Sequence, residues 1–164
     1  MMTDQRPVYK VGEMVIHWMY GPGTIIQLDE KELDGRKSQY YVVQTRDLTI
    51  WVPFCDAEAK WLRKPTPAKE FKHLFSVLAS NGEPLSSDRL ERKLQLTERM
   101  KSGSLEDICT VIRDLISQKR SSKMNENDNA TLERARSFLL SEWSISFDIP
   151  VQQANHELES LLRI

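Results

Sequence analysis

Gln39-Tyr40-Tyr41-Val42-Val43-Gln44 and, after Thr45-Arg46-Asp47, Leu48-Thr49-Ile50-Trp51-Val52-Pro53 decide how the first part of the chain folds. Both runs are short, rich in β-branched and aromatic residues, and separated by a polar tripeptide, so they read as neighbouring strands. Side chains alternate across a strand; if Ile50 and Val52 face a core, Thr49 and Trp51 face solvent. Working upstream, Thr24-Ile25-Ile26-Gln27-Leu28 is another strand. Met14-Val15-Ile16-His17-Trp18 is the first, closed by turn chemistry at Tyr20-Gly21-Pro22-Gly23. Asp34-Gly35 marks a hairpin-like reversal, and the acidic run before it implies a loop longer than two residues. Strands this short, joined by tight turns, predict a small, strongly bent sheet or barrel.

Downstream of about residue 65 the period changes. Phe71, Leu74, Phe75 and Leu78 step i, i+3, i+4, i+7, a helical stripe that Asn81-Gly82-Glu83-Pro84 ends. Ser86 or Ser87 can cap the next helix, with Leu90, Leu94 and Met100 expected to face inward and Ser102-Gly103 to stop it. Ser104 followed by Asp107 resembles a capping box and opens the strongest stripe: Leu105, Ile108, Cys109, Ile112, Leu115, Ile116. A polar loop is expected over 121–129, Asn129 is expected to cap a helix carrying Leu132, Ala135, Phe138 and Leu139, and Pro150 suits the first turn of a last helix burying Val151, Ala154, Leu158 and Leu161. The class is α+β: a β domain over residues 1–68 and an all-α helical bundle over 69–164.

The 164 residues allow one medium domain or two small ones. With 40% hydrophobic and 29% charged residues, the chain falls outside both the disordered and the membrane-spanning classes. The opening residues have neither the apolar segment nor the cleavage site of a signal peptide, and Cys55 and Cys109 form no spaced framework, so a reducing cytosol is the expected setting. A net charge of −1 means that any nucleic-acid contact must come from a local patch. His17, His73 and His156 lie on separate elements, none at metal-ligand spacing from another His, Cys or carboxylate. Gly21-Pro22-Gly23 lacks the following helix and the Lys-Ser/Thr of a phosphate loop. Cys109 belongs to an apolar stripe, and Cys55 has no adjacent histidine to activate it. No enzyme, metal, cofactor or small-molecule substrate is expected.

Tyr9-Lys10-Val11-Gly12-Glu13-Met14-Val15, Tyr20-Gly21-Pro22-Gly23-Thr24-Ile25, Gly35, Tyr40-Tyr41-Val42-Val43 and Leu48-Thr49-Ile50-Trp51-Val52-Pro53 together resemble the RNA-polymerase-interacting domain of the CarD family, a module shared with the transcription-repair coupling factor. Ser102-Gly103-Ser104, Val111-Ile112-Arg113-Asp114-Leu115 and Leu132-Glu133-Arg134-Ala135-Arg136 resemble the helical C-terminal domain of CarD, which the coupling factor lacks. The likeness runs over roughly residues 8–162. It implies a Tudor-like N-terminal β-barrel that binds the polymerase β subunit, and a helical domain that contacts promoter DNA, without sequence specificity, at the upstream edge of the melted bubble. It also implies a bacterial cytoplasmic protein, associated with the nucleoid through polymerase, that stabilises the open promoter complex.

The expected polymerase-binding residues are Lys31, Thr49, Trp51 and Pro53. Lys31 keeps the basic character the family often carries at its place, whereas Trp51 does not. Trp is enriched at interface hot spots, which suits an exposed Trp51. For DNA the expected contacts are Arg89, Arg92, Lys93 and Arg99 on one helix, with Arg92 and Arg99 sharing a face, and Lys119 and Arg120 at the end of the next. Such cations would hold phosphates and so position the protein without reading bases. The family's wedge tryptophan would fall on Arg89 or near Ser87, and neither is Trp. The missing wedge leaves a second reading open: a polymerase-binding adaptor without a DNA function.

Overall fold

The computed structural model describes residues 7–56 and 61–164. The chain divides into two compact units, Met1–Pro65 and Thr66–Ile164. Residues 66–68, expected to close the β domain, therefore group with the helices. The Thr66 N–H donates to Glu142 Oε2 at 2.9 Å and its carbonyl accepts from Ser146 Oγ.

The first unit is a five-stranded antiparallel sheet, β1 (Met14–His17), β2 (Gly21–Leu33), β3 (Arg36–Thr45), β4 (Thr49–Pro53) and β5 (Leu62–Arg63), in the order β4-β3-β2-β1-β5. The expected barrel is not closed. β5 pairs with β1 through two residues only, and the sheet ends on β4 at one side and β5 at the other. Its core covers one face, where Val15, Ile25, Tyr41, Val43, Val52 and Leu62 meet. Tyr41 is fully buried: its ring stacks on Phe54 at 4.2 Å, and its hydroxyl accepts the Val8 N–H at 2.7 Å.

Two turns differ from expectation. β2 and β3 are joined by two residues, Asp34 and Gly35, both at positive φ (53° and 76°), with Leu33 paired to Arg36. This is the geometry that matches the twist of a tight hairpin, and it draws the acidic run 29–32 into the ladder instead of a loop. Pro22 and Gly23 likewise belong to β2, paired with Ile16 and Val15. A Cβ on Gly23 would stand 2.6 Å from Val43 Cγ1, so only glycine lets the two strands approach there.

The second unit holds α2 (Phe71–Ala79), α3 (Arg89–Lys101), α4 (Leu105–Ser121), α5 (Glu126–Phe147) and α6 (Val151–Leu162). Short polar side chains start three of them: Asp88 accepts from Glu91 N, Ser104 from Asp107 N and Asn125 from Asp128 N. Asp88 thus replaces the expected Ser86 or Ser87, and the α5 cap, Asn125, lies four residues before the expected cap at Asn129. The core gathers Phe71, Leu96, Ile112, Leu115, Leu139 and Leu158 among others, with Trp143 buried beside Phe71 and Phe75. In α6 Val151 is exposed, and Leu162 joins Ala154 and Leu158 inside.

The largest departure is on α3. Leu90 and Leu94, expected inside, are 68% and 62% exposed, while Arg92 is 6% exposed. Arg92, Leu96 and Arg99 step i, i+4, i+7 and form the inward face. Buried carboxylates on α5 and α4 wait opposite the two arginines, so hydropathy alone inverts the helix. Among the described residues, no helix is long and apolar enough to cross a membrane.

Candidate functional site

On the sheet face opposite the core, register decides which side chains meet. Trp51 pairs with Val42, Pro53 with Tyr40 and Thr49 with Gln44, while Asp29 on β2 pairs with Tyr40 on its other side. Strand alternation therefore places Thr49, Trp51 and Pro53 on one face with Asp29 and Lys31. Trp51 is 44% exposed. The Lys31 ammonium lies 4.6 Å from the centre of the Trp51 ring and 5.9 Å from that of Tyr40, a cation–π stack. The Trp51 indole N–H donates to Asp29 Oδ2 at 3.3 Å, and Thr49 Oγ1 donates to Gln44 Oε1. Val42 is buried although register puts it on this outer face. The four expected residues thus share one surface, and Asp29, Tyr40 and Val42 join it unannounced. The signal for those three was the two-residue hairpin, which sets the β2–β3 register.

A second cluster of aromatic groups sits at the β1–β2 turn. Buried His17 has ring neighbours in Trp18, Tyr20 and Trp61 at 6.1, 5.0 and 5.9 Å. Its Nδ1 accepts the Met19 and Tyr20 N–H groups, so this nitrogen is unprotonated and the ring holds the turn. Burial lowers its pKa from the usual 6.5.

In the helical unit the expected DNA contacts separate into two groups. Arg92 and Arg99 do not face solvent together with Arg89. Arg92 Nε bonds Asp128 Oδ1 at 3.1 Å and its Nη1 donates to the Ser86 carbonyl at 3.0 Å. Arg99 Nη1 reaches Asp114 Oδ2 at 2.7 Å, and Arg113 Nε reaches Oδ1 of the same carboxylate at 2.9 Å. Burial and pairing withdraw Arg92 from any phosphate and commit Arg99 to Asp114. Arg89 and Lys93 remain exposed one turn apart, beside the exposed Leu90–Leu94 pair. Lys119 is exposed at the end of α4; Arg120, also exposed, donates to the Leu162 carbonyl at the end of α6.

The residues weighed for catalysis do not assemble. Burial pushes the Cys109 thiol up to about 12, with Glu142 and Glu106 adding repulsion, which keeps it protonated and inert. Cys55 is exposed on α1 (Phe54–Asp56), a single helical turn after β4. His73 Nε2 lies 2.9 Å from Glu106 Oε1 on an open groove of about 710 Å³. Both side chains are largely exposed, and among the described residues no hydroxyl or thiol hydrogen-bonds the His73 ring. Among the described residues, no group of three or more His, Cys, Asp or Glu could hold a metal ion.

Comparison with known proteins follows the same division. Residues 9–65 match the CarD-like/TRCF RID domain, and residues 73–159 match the CarD C-terminal domain. A Bacillus subtilis (strain 168) protein named "Putative transcription factor YdeB" is 28% identical over 152 residues, covering 89% of this chain and 97% of that protein. The first unit is thus the polymerase-interacting module of a transcription protein. Since the helical match alone spans more than half of the sequence and the two matches keep their order, the chain belongs to the CarD family.

Proposed function

We propose that this protein is a non-enzymatic transcription regulator that docks on the RNA polymerase β subunit through the outer face of β2–β4 and modulates the open promoter complex through α3. The observation that carries the docking reading is the Lys31–Trp51 stack. An exposed indole is held flat by a cation above it and by Asp29 at its edge, so it is ordered before a partner arrives. Preorganised aromatic anchors lose little side-chain freedom on binding. On α3, Arg89 and Lys93 offer charge to phosphates while Leu90 and Leu94 offer an apolar surface beside them. Apolar side chains next to cations are what minor-groove wedges use to prise open a base step. A factor of this kind acts by binding the open state more tightly than the closed one.

The adaptor reading is favoured by one observation: Arg92 and Arg99, half of the cations expected on α3, point into the protein. The test measures both steps. Trp51→Ala should weaken binding to the isolated β-subunit protrusion by about 2 kcal/mol or more, and Lys31→Glu should weaken it as well. Unchanged affinity in both variants, with the fold intact, overturns the docking surface. Open-complex lifetimes after a competitor challenge then separate regulator from adaptor: a protein that binds β but leaves promoter-complex decay unaltered is the adaptor.

A further inference from the structure

The ends of α4 and α6 and the connection after α2 enclose a polar groove of about 380 Å³ to which no role is attached above. Arg113, Arg120 and Arg163 line it, together with Ser80, Asn81 and Ser117. No aspartate or glutamate among the described residues lines it. Three guanidinium groups around one recess repel one another, a repulsion that the carbonyl ends of α4 and α6 offset in part and that a bound anion would relieve further.

The carboxylate nearest in the chain does not balance them. Asp114 is fully buried and accepts from Arg99 and Arg113 together, so one negative charge serves two cations. It also accepts the Glu83 N–H at 2.8 Å, which ties its Oδ1 to the backbone. Arg113 spends Nε on Asp114 and Nη1 on Ser80 Oγ. Arg120 spends Nη2 on the Leu162 carbonyl, and this helix-capping role accounts for one of its five donors. Arg163 is exposed at the left-handed cap of α6, with φ of 58°.

The floor of the groove is held in place. A Cβ on Gly82 would lie 2.5 Å from Ser117 Cβ, so the connection lies directly against α4 at this point. Ser80 is fixed between Arg113 and the Val77 carbonyl. Three arginine side chains therefore line a recess whose backbone is tied down. Planar guanidinium forks match the spacing of phosphate oxygens, and donors held in advance bind such an anion with little reorganisation.

We propose that the Arg113–Arg120–Arg163 groove is a phosphate-binding site, distinct from the exposed face of α3 and independent of the function proposed above. The group bound is a phosphate of a free phosphate-bearing molecule or of a nucleic-acid backbone; the chemistry recognised is the same.

The test uses the full chain labelled with nitrogen-15 and inorganic pyrophosphate as the probe, at constant ionic strength. Saturable amide shifts should be confined to residues 80–82, 117–120 and 163. Arg163→Gln, which removes an exposed charge, should weaken binding about tenfold, equivalent to about 1.4 kcal/mol. Arg120→Lys should weaken it too, because the charge stays but the fork is lost. Arg36→Gln on the β2–β3 hairpin should leave it unchanged. A second arm adds duplex DNA to the pyrophosphate-bound protein. Release of pyrophosphate identifies a backbone phosphate as the natural occupant, and retention identifies a free ligand. The proposal is overturned if pyrophosphate produces no saturable shift at these amides, or if both arginine variants bind it as the unmodified chain does.

Discussion

Replacing Arg92 by alanine tests the reassignment of α3 most sharply. Read as a DNA contact, Arg92 could be truncated with little effect on stability, since exposed substitutions generally stay within about 0.5 kcal/mol. The structure demands a different outcome. The Arg92 and Asp128 side chains are 8% and 2% exposed, and the carboxylate accepts from Arg92 Nε at 3.1 Å. Asp128 Oδ2 has no hydrogen-bond partner among the described residues. Removing the guanidinium would strand a buried anion that retains only its own environment, and breaking such a pair on one side costs about 3–5 kcal/mol. It would also release the Ser86 carbonyl, which anchors the connection leading into α3. For a unit of this size roughly 4–8 °C of melting temperature accompanies each kcal/mol, so the helical transition should fall by at least about 12 °C by that scale. Circular dichroism at 222 nm follows it, with Lys93→Ala as the exposed control expected to melt like the parent. The double variant Arg92→Leu, Asp128→Leu should recover much of the loss, because an apolar pair leaves no buried charge. If Arg92→Ala melts within a degree or two of the parent, the buried pair is not what seats α3.

Ile112→Ala, at the fully buried centre of α4, should cost about 2–5 kcal/mol through lost burial and a cavity, while the isolated β-subunit protrusion binds as before; a parallel loss of that binding would refute the separation of the two cores. His17 carries a pH dependence: its folded pKa is lowered by burial, so its contribution is complete above the ordinary value of 6.5 and erodes as pH falls below it. Urea midpoints of the first unit should therefore drop from neutral toward acidic pH, and His17→Gln should flatten that slope; an equal slope in both proteins would count against the assignment. Leu90→Ser combined with Leu94→Ser should leave stability within about 0.5 kcal/mol because both side chains are exposed, yet shorten open-complex lifetime. Unaltered decay would remove α3's apolar pair from promoter contact.

The β unit was legible because period-2 alternation survives wherever one face is covered: Val52 went inside and Trp51 outside as the run Leu48 to Pro53 requires. What the pattern could not carry was closure. A barrel and an open sheet share the same alternation, and the difference here rests on the short β5, two residues long, which pairs with β1 and, among the described residues, does not reach β4. Hairpin length departs from expectation for a different reason. Asp29 to Glu32 are poor strand formers by composition, but Asp34-Gly35 can take positive φ twice, and that turn pulls its flanks into register. Among the helices, α4 could be read from its stripe because its partners are apolar. On α3 the rule failed, since the face that looks polar is buried against Asp128 and Asp114. Those carboxylates come from α5 and α4, and no local window around residue 92 contains them.

That failure bears on how α3 is presented. A helix seated by leucines keeps its apolar side chains inside and shows only charge to a partner. Here the seating falls largely to Arg92 and Arg99, with Leu96 between them, and Leu90 and Leu94 are left outside beside Arg89 and Lys93. Buried ion pairs rarely add net stability over an apolar isostere, so their presence has to be accounted for by what they permit. Two directional contacts, each to a single carboxylate, set the rotation of α3 about its axis, where a leucine seam would tolerate several. Rotation by one residue, about 100° in an α-helix, would carry Leu90 and Leu94 off the exposed face they now share with two cations. The same carboxylate that holds Arg99 also holds Arg113 and the Glu83 backbone, so the connection before α3 and the helix itself are fixed by one group. Charge inside the unit thus orients the apolar pair outside it, an arrangement that a hydropathy profile reads backwards.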